Sequence, residues 1–183
     1  AGYPDGAGAV LLVELEGLLE EVEEIETEVQ ASLWETGAVD VKIAEDPEDR
    51  EKLWSGRKTA FGSFGAIAPN YYLVDGVVPR TKLVEVLRLV GDLSERYGIV
   101  IANVFHAGDG NLHPCMLFDE REQGISDKVM AAASELMEYC AAVGGTLSGE
   151  HGIGLEKKEF MPLVFNPEDM NAMKQARDAF APK

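Results

Sequence analysis

The sequence predicts an α+β fold: a mostly antiparallel sheet with helices packed on one face. Three observations carry that expectation. Strand-like apolar runs alternate with amphipathic helical stretches along the 183 residues. Two of these runs, Ile99 to Phe105 and Leu112 to Phe118, are separated only by a short glycine-rich link, so they pair as direct neighbours rather than through a crossover helix. Glycines stand where the clearest helices must stop, at Gly37, Gly98 and Gly144-Gly145.

The elements follow in order. Ala7 to Leu15 is an apolar run behind turn residues and reads as a buried strand. Leu18, Val22, Ile25 and Val29 then fall on one face of a helix, with glutamates on the other. Val39 to Ile43 alternates apolar and polar residues, as a half-buried strand does. Asp46-Pro47-Glu48-Asp49 opens a second helix, with Asp46 as N-cap and Pro47 at the first helical position. This helix carries Leu53, Trp54 and Arg57 and is expected to dissolve at Phe61-Gly62-Ser63-Phe64-Gly65. Tyr71 to Val78 reads as one strand with a bend at Gly76, closed by Pro79. Thr81 to Tyr97 is a helix whose Leu83, Val86, Leu87 and Val90 share a face. The strand from Ile99 leads straight into His106, and the next begins at Leu112. Helices over Asp127 to Val143 and Pro167 to Phe180 complete the chain. There is no internal repeat, no low-complexity linker and no clear domain boundary in the residues, so one domain, 1–183, is expected.

Composition narrows the function classes. The formal net charge of −17 argues against nucleic acid, whose phosphates require a basic footprint, and against an anionic membrane surface. Much of the excess is local, with eight glutamates and no basic residue from Glu14 to Glu28. Such a run reads first as a solvated helix face. No stretch is long and apolar enough for a membrane span, and the opening Ala1-Gly2-Tyr3-Pro4-Asp5 has no features of an export signal. Cys115 and Cys140 are too few for a disulfide framework and read as reduced thiols of a cytoplasmic protein.

All three histidines lie in two glycine-rich segments, His106-Ala107-Gly108-Asp109-Gly110-Asn111-Leu112-His113 and Ser148-Gly149-Glu150-His151-Gly152-Ile153-Gly154. His106 and His113 cannot meet as i and i+4 on a helix, but they can converge from the two ends of a glycine turn between paired strands. Neutral imidazole is the commonest transition-metal ligand, and two histidines with a carboxylate leave coordination positions open. Glu150 supplies the third ligand in that reading, and His151 is the general base, its unperturbed pKa suiting proton transfer near neutrality. The donor set suits zinc, iron, manganese or cobalt. The competing reading has the histidines capping backbone groups at a sharp turn; spacing alone leaves the two even. Asp109 reads as a turn residue. Arg57 offers a planar fork for a substrate carboxylate, against an equal case for a surface helix role. A nucleotide loop is disfavoured, since the glycines match neither G-x-G-x-x-G nor a P-loop, and Ser148 lacks the nucleophile elbow.

The paired segments HAGDGNLH and GGTLSGEHGIG resemble the C-terminal domain of the FAD-linked oxidases, within it most closely the glycolate oxidase, D-lactate dehydrogenase and D-2-hydroxyglutarate dehydrogenase group. The opening GAGAVLLVELEG, the LW-x-x-R of Leu53 to Arg57 and the Asp75 to Pro79 strand end extend the likeness over nearly the whole chain. The resemblance implies a ferredoxin-like α+β sheet and oxidation of a 2-hydroxy acid to the 2-oxo acid, with hydride passing to FAD. It implies that His106, His113 and Glu150 hold a divalent metal, zinc-like in relatives. It also implies that His151 takes the hydroxyl proton and that Arg57, with Asn111, binds substrate. The family's FAD-binding domain precedes this region, so the chain is expected to be a substrate and metal cap that is inert alone. Some relatives carry a lysine in the middle of the Tyr71 to Val78 strand; Leu73 here favours a monocarboxylate such as glycolate or lactate. Implied partners are the chain's own FAD-binding domain and iron–sulfur subunits that would bring a cytoplasmic enzyme to the inner membrane. Self-association through the face that normally meets the flavin domain is a further expectation. The alternative is a non-catalytic α+β assembly module, with structural turn histidines and an acidic docking helix over Glu14 to Glu28.

Overall fold

The structure is a computed structural model that describes Tyr3 and residues 6–181. The chain divides into two compact units, one reaching to Phe61 and the other running from Gly62 onward. In the first unit, helix α1 spans Leu19–Glu35 and helix α2 begins at Pro47 and runs to Phe64, its last turn belonging to the second unit. The Asp46 carboxylate accepts the Asp49 N–H at 2.9 Å, the cap that the Asp-Pro start implied. The Arg50 guanidinium pairs with Glu14, and the Tyr3 hydroxyl donates to the Leu53 carbonyl at 3.0 Å. Segments 7–15 and 38–44, α1 and α2 line a cavity of about 470 Å³, apolar over most of its wall.

Two expectations fail in this unit. Neither Ala7 to Leu15 nor Val39 to Ile43 forms a strand, and every strand pairing among the described residues lies in the second unit. An apolar run specifies a preference for burial; a strand also needs a partner for each N–H and C=O. Here burial is incomplete as well: Leu11 is 60% and Val39 81% exposed. Helix α2 also outruns its expected end, continuing through Gly62 to Phe64, whose buried ring meets Tyr71 edge-on at 6.1 Å. Burying that ring offsets the modest cost of a helical glycine.

The second unit contains the α+β core. Strands β1 (Asn70–Leu73) and β3 (Val100–Asn103) both pair antiparallel with β5 (Pro114–Phe118), giving the order β1-β5-β3. The register sets Tyr72 and Ile101 opposite Met116, and these residues join the core on one face. Helices α3 (Leu83–Tyr97) and α4 (Ile125–Ala142) pack together in that core. Val86, Val90 and Leu93 of α3 and Val129, Leu136 and Met137 of α4 are almost fully buried, and Ala132 and Ala133 admit close approach of the helices. Gly98 closes α3 in the left-handed conformation at φ 64°, as its position predicted. Helix α5 (Pro167–Phe180) opens with a full capping box between Asn166 and Asp169.

The single strand expected over Tyr71 to Val78 is two. After Val74, whose N–H donates to the Pro114 carbonyl at 3.0 Å, the chain leaves β5, and Gly76–Val77 forms β2, paired with β4 (Asn111–Leu112) in a second small sheet. Val74 and Asp75, both buried, form the step between them. At this step the Asp75 carboxylate is committed to a different part of the chain.

Candidate metal centre

The first histidine segment is a hairpin. The His106 N–H donates to the Asn111 carbonyl at 2.9 Å and the Asn111 N–H returns to His106 at 3.3 Å, enclosing Ala107 to Gly110 as the turn. Residues directly opposite on antiparallel strands share a face, and so do residues two apart on one strand. His106, Asn111 and His113 are therefore brought to one side. The spacing H-x4-N-x-H is what a four-residue turn needs to do this. The His106 and His113 rings lie 5.5 Å apart and nearly perpendicular. Gly110 has no substitute in this turn: its φ is 73°, and a Cβ would sit 2.1 Å from the Val78 carbonyl oxygen.

The second segment reaches the same place from the other side of β2. Val77 and Thr146 exchange both backbone hydrogen bonds at 3.0 Å, while Val77 is also in register with Asn111. One residue of β2 thus stands between the two histidine segments. Past Thr146, the turn Ser148-Gly149-Glu150-His151 wraps around Asp75. The Asp75 carboxylate accepts the Ser148 hydroxyl at 2.7 Å and the N–H groups of Gly149, Glu150 and His151 at 3.1, 3.2 and 2.9 Å. Lys157, itself buried, places its Nζ 3.4 Å from the carboxylate and 3.3 Å from the Asp75 carbonyl. Burial alone would raise the Asp75 carboxyl. The Ser148 hydroxyl, the His151 and Glu150 amides and the Lys157 charge outweigh it and bring it down to about 2. Ser148 spends its oxygen in this turn, also accepting the Gly152 N–H at 2.7 Å, which is a structural role and not a nucleophile's. Gly149 lies directly against Asn111, where a Cβ would come within 2.6 Å of the side-chain amide.

Together the segments surround one carboxylate oxygen with three imidazoles. Glu150 Oε1 is 2.6 Å from His113 Nε2, 3.6 Å from His106 Nε2 and 3.8 Å from His151 Nε2. His113 is buried at the base, its ring stacked parallel to that of His151 at 4.8 Å, while His106, Glu150 and His151 are exposed at the rim. Burial lowers the His113 pKa against the pull of Glu150 and favours the neutral ring.

The arrangement fits a divalent cation. Nitrogen and oxygen ligands lie about 2 Å from such an ion, so donors sharing it stand about 3 Å apart. Glu150 Oε1 stands near that spacing from His113 Nε2, at 2.6 Å, and from His106 Nε2, at 3.6 Å. His113 Nδ1 is buried without a hydrogen-bond partner, 3.8 Å from Asp75 Oδ1, as suits a ring whose Nε2 is the ligand atom and whose Nδ1 carries the proton toward a carboxylate. Among the described residues, ligand-type atoms of Asp75, His113, Glu150 and His151 all lie within 4.8 Å of one another, a group that does not include His106. Asp75 does not belong among the ligands, because five donors already occupy its oxygens.

The whole chain, residues 1–183, matches the family of FAD linked oxidases, C-terminal domain. The chain belongs to this family. It is 44% identical to the glycolate oxidase subunit GlcD of Escherichia coli (strain K12) across the full chain, which spans 36% of that protein. It is 34% identical to the glycolate oxidase subunit GlcD of Bacillus subtilis (strain 168), again across the full chain and 39% of the relative. A D-lactate dehydrogenase of Anaerostipes hadrus is 32% identical over 96% of the chain and 37% of its own length. The chain thus spans little more than a third of the length of the relatives it matches.

Within this FAD linked oxidase domain the structure gathers His106, Asn111, His113, Glu150 and His151 around one point. Arg57 belongs to the first unit, on α2, with its guanidinium 5.9 Å from the Phe61 ring centre. Asp109 is exposed in the hairpin turn, where its N–H donates to the His106 carbonyl at 3.2 Å. Two residues escaped sequence reasoning as members of the site, Asp75 and Lys157. Asp75 had a signal: an acid in the middle of the apolar run YYLVDGVV, where a strand core carries no charge without a partner. Lys157 had none. Among the described residues, no helix is long and apolar enough to cross a membrane.

Proposed function

We propose that the chain is the substrate- and metal-binding domain of a flavin-dependent 2-hydroxy-acid dehydrogenase that oxidises glycolate or D-lactate to the 2-oxo acid. The observation that carries the reading is the carboxylate of Glu150 held 2.6–3.8 Å from three imidazole Nε2 atoms, with the buried one at the base and an open rim. His106, His113 and Glu150 would hold a divalent cation, zinc first among the candidates. When bound, the cation supplies positive charge that polarises a hydroxyl and carboxylate, and FAD, held by a domain outside this chain, accepts the hydride.

The residues of this chain do the rest. His151 takes the hydroxyl proton on Nε2 as the C–H bonding pair departs, so one proton and one hydride leave the substrate and a C=O remains. Asn111, whose Oδ1 is buried without a partner, orients the substrate beside His113. Leu73, where a second carboxylate would need a cation, favours a monocarboxylate. The names of the relatives, glycolate oxidase subunit and D-lactate dehydrogenase, support this substrate class. We further propose iron–sulfur partner subunits, by analogy with a chain named as a subunit, and a cytoplasmic enzyme attached to the inner membrane through them.

The test is turnover of the whole flavin-loaded protein. His151→Ala is expected to lower kcat by at least ~10²-fold while glycolate or D-lactate still binds, the usual contribution of a general base. An assembly module with structural histidines would tolerate that change. Turnover of 2-hydroxyglutarate well above lactate would overturn the monocarboxylate assignment.

A further inference from the structure

We infer that Asp75 is a positioning residue, the anchor that holds Glu150 and His151 in place. It acts through the backbone of their turn and through the far nitrogen of His113. This inference rests on the metal reading for its effect on affinity, but not for its geometry.

The argument begins with cost. Asp75 is fully buried, on a two-residue step between β1 and β2, where a carboxylate gains nothing from hydrophobic packing and loses its hydration. Its whole donor set comes from one stretch of chain. The Ser148 hydroxyl and the amides of three consecutive residues, Gly149, Glu150 and His151, converge on two oxygen atoms, and the ammonium of Lys157 balances the charge. Three successive N–H groups pointing at one carboxylate form a concave, anion-binding turn. Without the carboxylate those amides lose the acceptor on which they converge, so the turn keeps this shape only while Asp75 is present. The side chains of Glu150 and His151 leave from that turn. Their distance from His113 is therefore set by a residue far away in sequence.

The same carboxylate faces His113. Its Oδ1 lies 3.8 Å from the buried Nδ1, on the opposite side of the ring from the Nε2 that meets Glu150. A carboxylate behind a histidine ligand orients the ring and raises its basicity. Asp75 thus acts on the buried histidine directly and on Glu150 and His151 through their amides, without itself being a ligand.

The experiment uses the whole protein, stripped of metal and titrated with Zn²⁺ alone, comparing wild type, Asp75→Asn and His106→Ala. Amide hydrogen exchange is followed in the peptide covering residues 148–152 and, as a control, in α5. Wild type is expected to take up a single Zn²⁺ that His106→Ala loses. Asp75→Asn should retain that stoichiometry with Kd weakened ~10–100-fold, the range for loss of an outer-shell partner. Its 148–152 amides should exchange faster while α5 stays unchanged. Wild-type Kd and wild-type protection in Asp75→Asn would overturn the inference and leave the metal reading standing. Loss of Zn²⁺ stoichiometry with the turn still protected would make Asp75 a ligand and overturn it equally. Should wild type bind no Zn²⁺, the metal reading falls and exchange alone decides: faster exchange supports the anchor, unchanged exchange refutes it. If Asp75→Asn does not fold, Ser148→Ala removes one donor to the same carboxylate. It is expected to loosen the same peptide to a smaller degree, and unchanged exchange there would count against the anchor.

Discussion

The two histidine segments arrive at one point by opposite means. The first is a local device: a hairpin whose backbone bonds join His106 to Asn111 within the segment, with side-chain placement following from strand alternation. The second has no such self-sufficiency. Its turn is held by Asp75 and Lys157, and neither lies in the segment. The difference teaches that a glycine-rich motif is a complete instruction only when its own backbone closes it; otherwise half of the instruction is written elsewhere.

The largest test of that contrast is Asp75→Ala. It leaves the buried Lys157 ammonium without its carboxylate and three part-buried amides without their acceptor, so a loss of about 3–5 kcal/mol is expected in denaturant unfolding. Asn111→Ala, the comparable deletion in the hairpin, removes an oxygen that has no partner and should cost about 1 kcal/mol or less. Equal losses would erase the distinction between the segments.

Acid sharpens it further. The Asp75 carboxyl is held at about 2 in the folded protein, against an ordinary 3.8. A depressed carboxyl contributes stability that is fully present above the unfolded value and disappears as pH falls through the folded one. The contribution is about 2 kcal/mol, lost between roughly pH 4 and pH 2. Asp75→Asn should flatten that limb of the stability curve. Asp119, likewise near 2 beside Arg121, is a surface pair screened by solvent, and Asp119→Asn is the control that should leave the limb in place. A curve unchanged by Asp75→Asn would place the acid sensitivity outside the second segment.

The smallest effect lies where the segments touch. Gly149→Ala brings a Cβ to 2.6 Å from the Asn111 amide, and Asn111→Ala removes the obstacle. A double-mutant cycle should return a coupling of about 1 kcal/mol. Additive losses would mean that the contact is slack.

What could be read in advance divides along the same line. Helix α5 was legible from Pro167 to Phe180, α3 in the glycine that stops it, and the hairpin in the short glycine-rich link between two strands, because each is closed by residues a few positions apart. The apolar runs at Ala7 and Val39 suggested strands, yet a strand is defined by its partner, and no pattern within the run names one. The step at Asp75 was hidden for a related reason. Tyr71 to Val78 has the composition of one continuous strand, and the step that divides it into two holds a single carboxylate whose partners lie 73 to 76 residues away. Arg57 illustrates a third limit, since a lone arginine on a helix has the same local signature whatever it binds.

Val77, bonded to Thr146 on one edge and in register with Asn111 on the other, has a consequence for ligand capture. The loop-closure entropy of uniting two distant stretches of chain is settled when this short three-stranded ribbon forms. On the proposed metal reading, an arriving ion would meet donors whose backbone segments are already joined. Most of its binding energy remains available for choosing among ions and substrates, because little is spent on assembling the place where they bind.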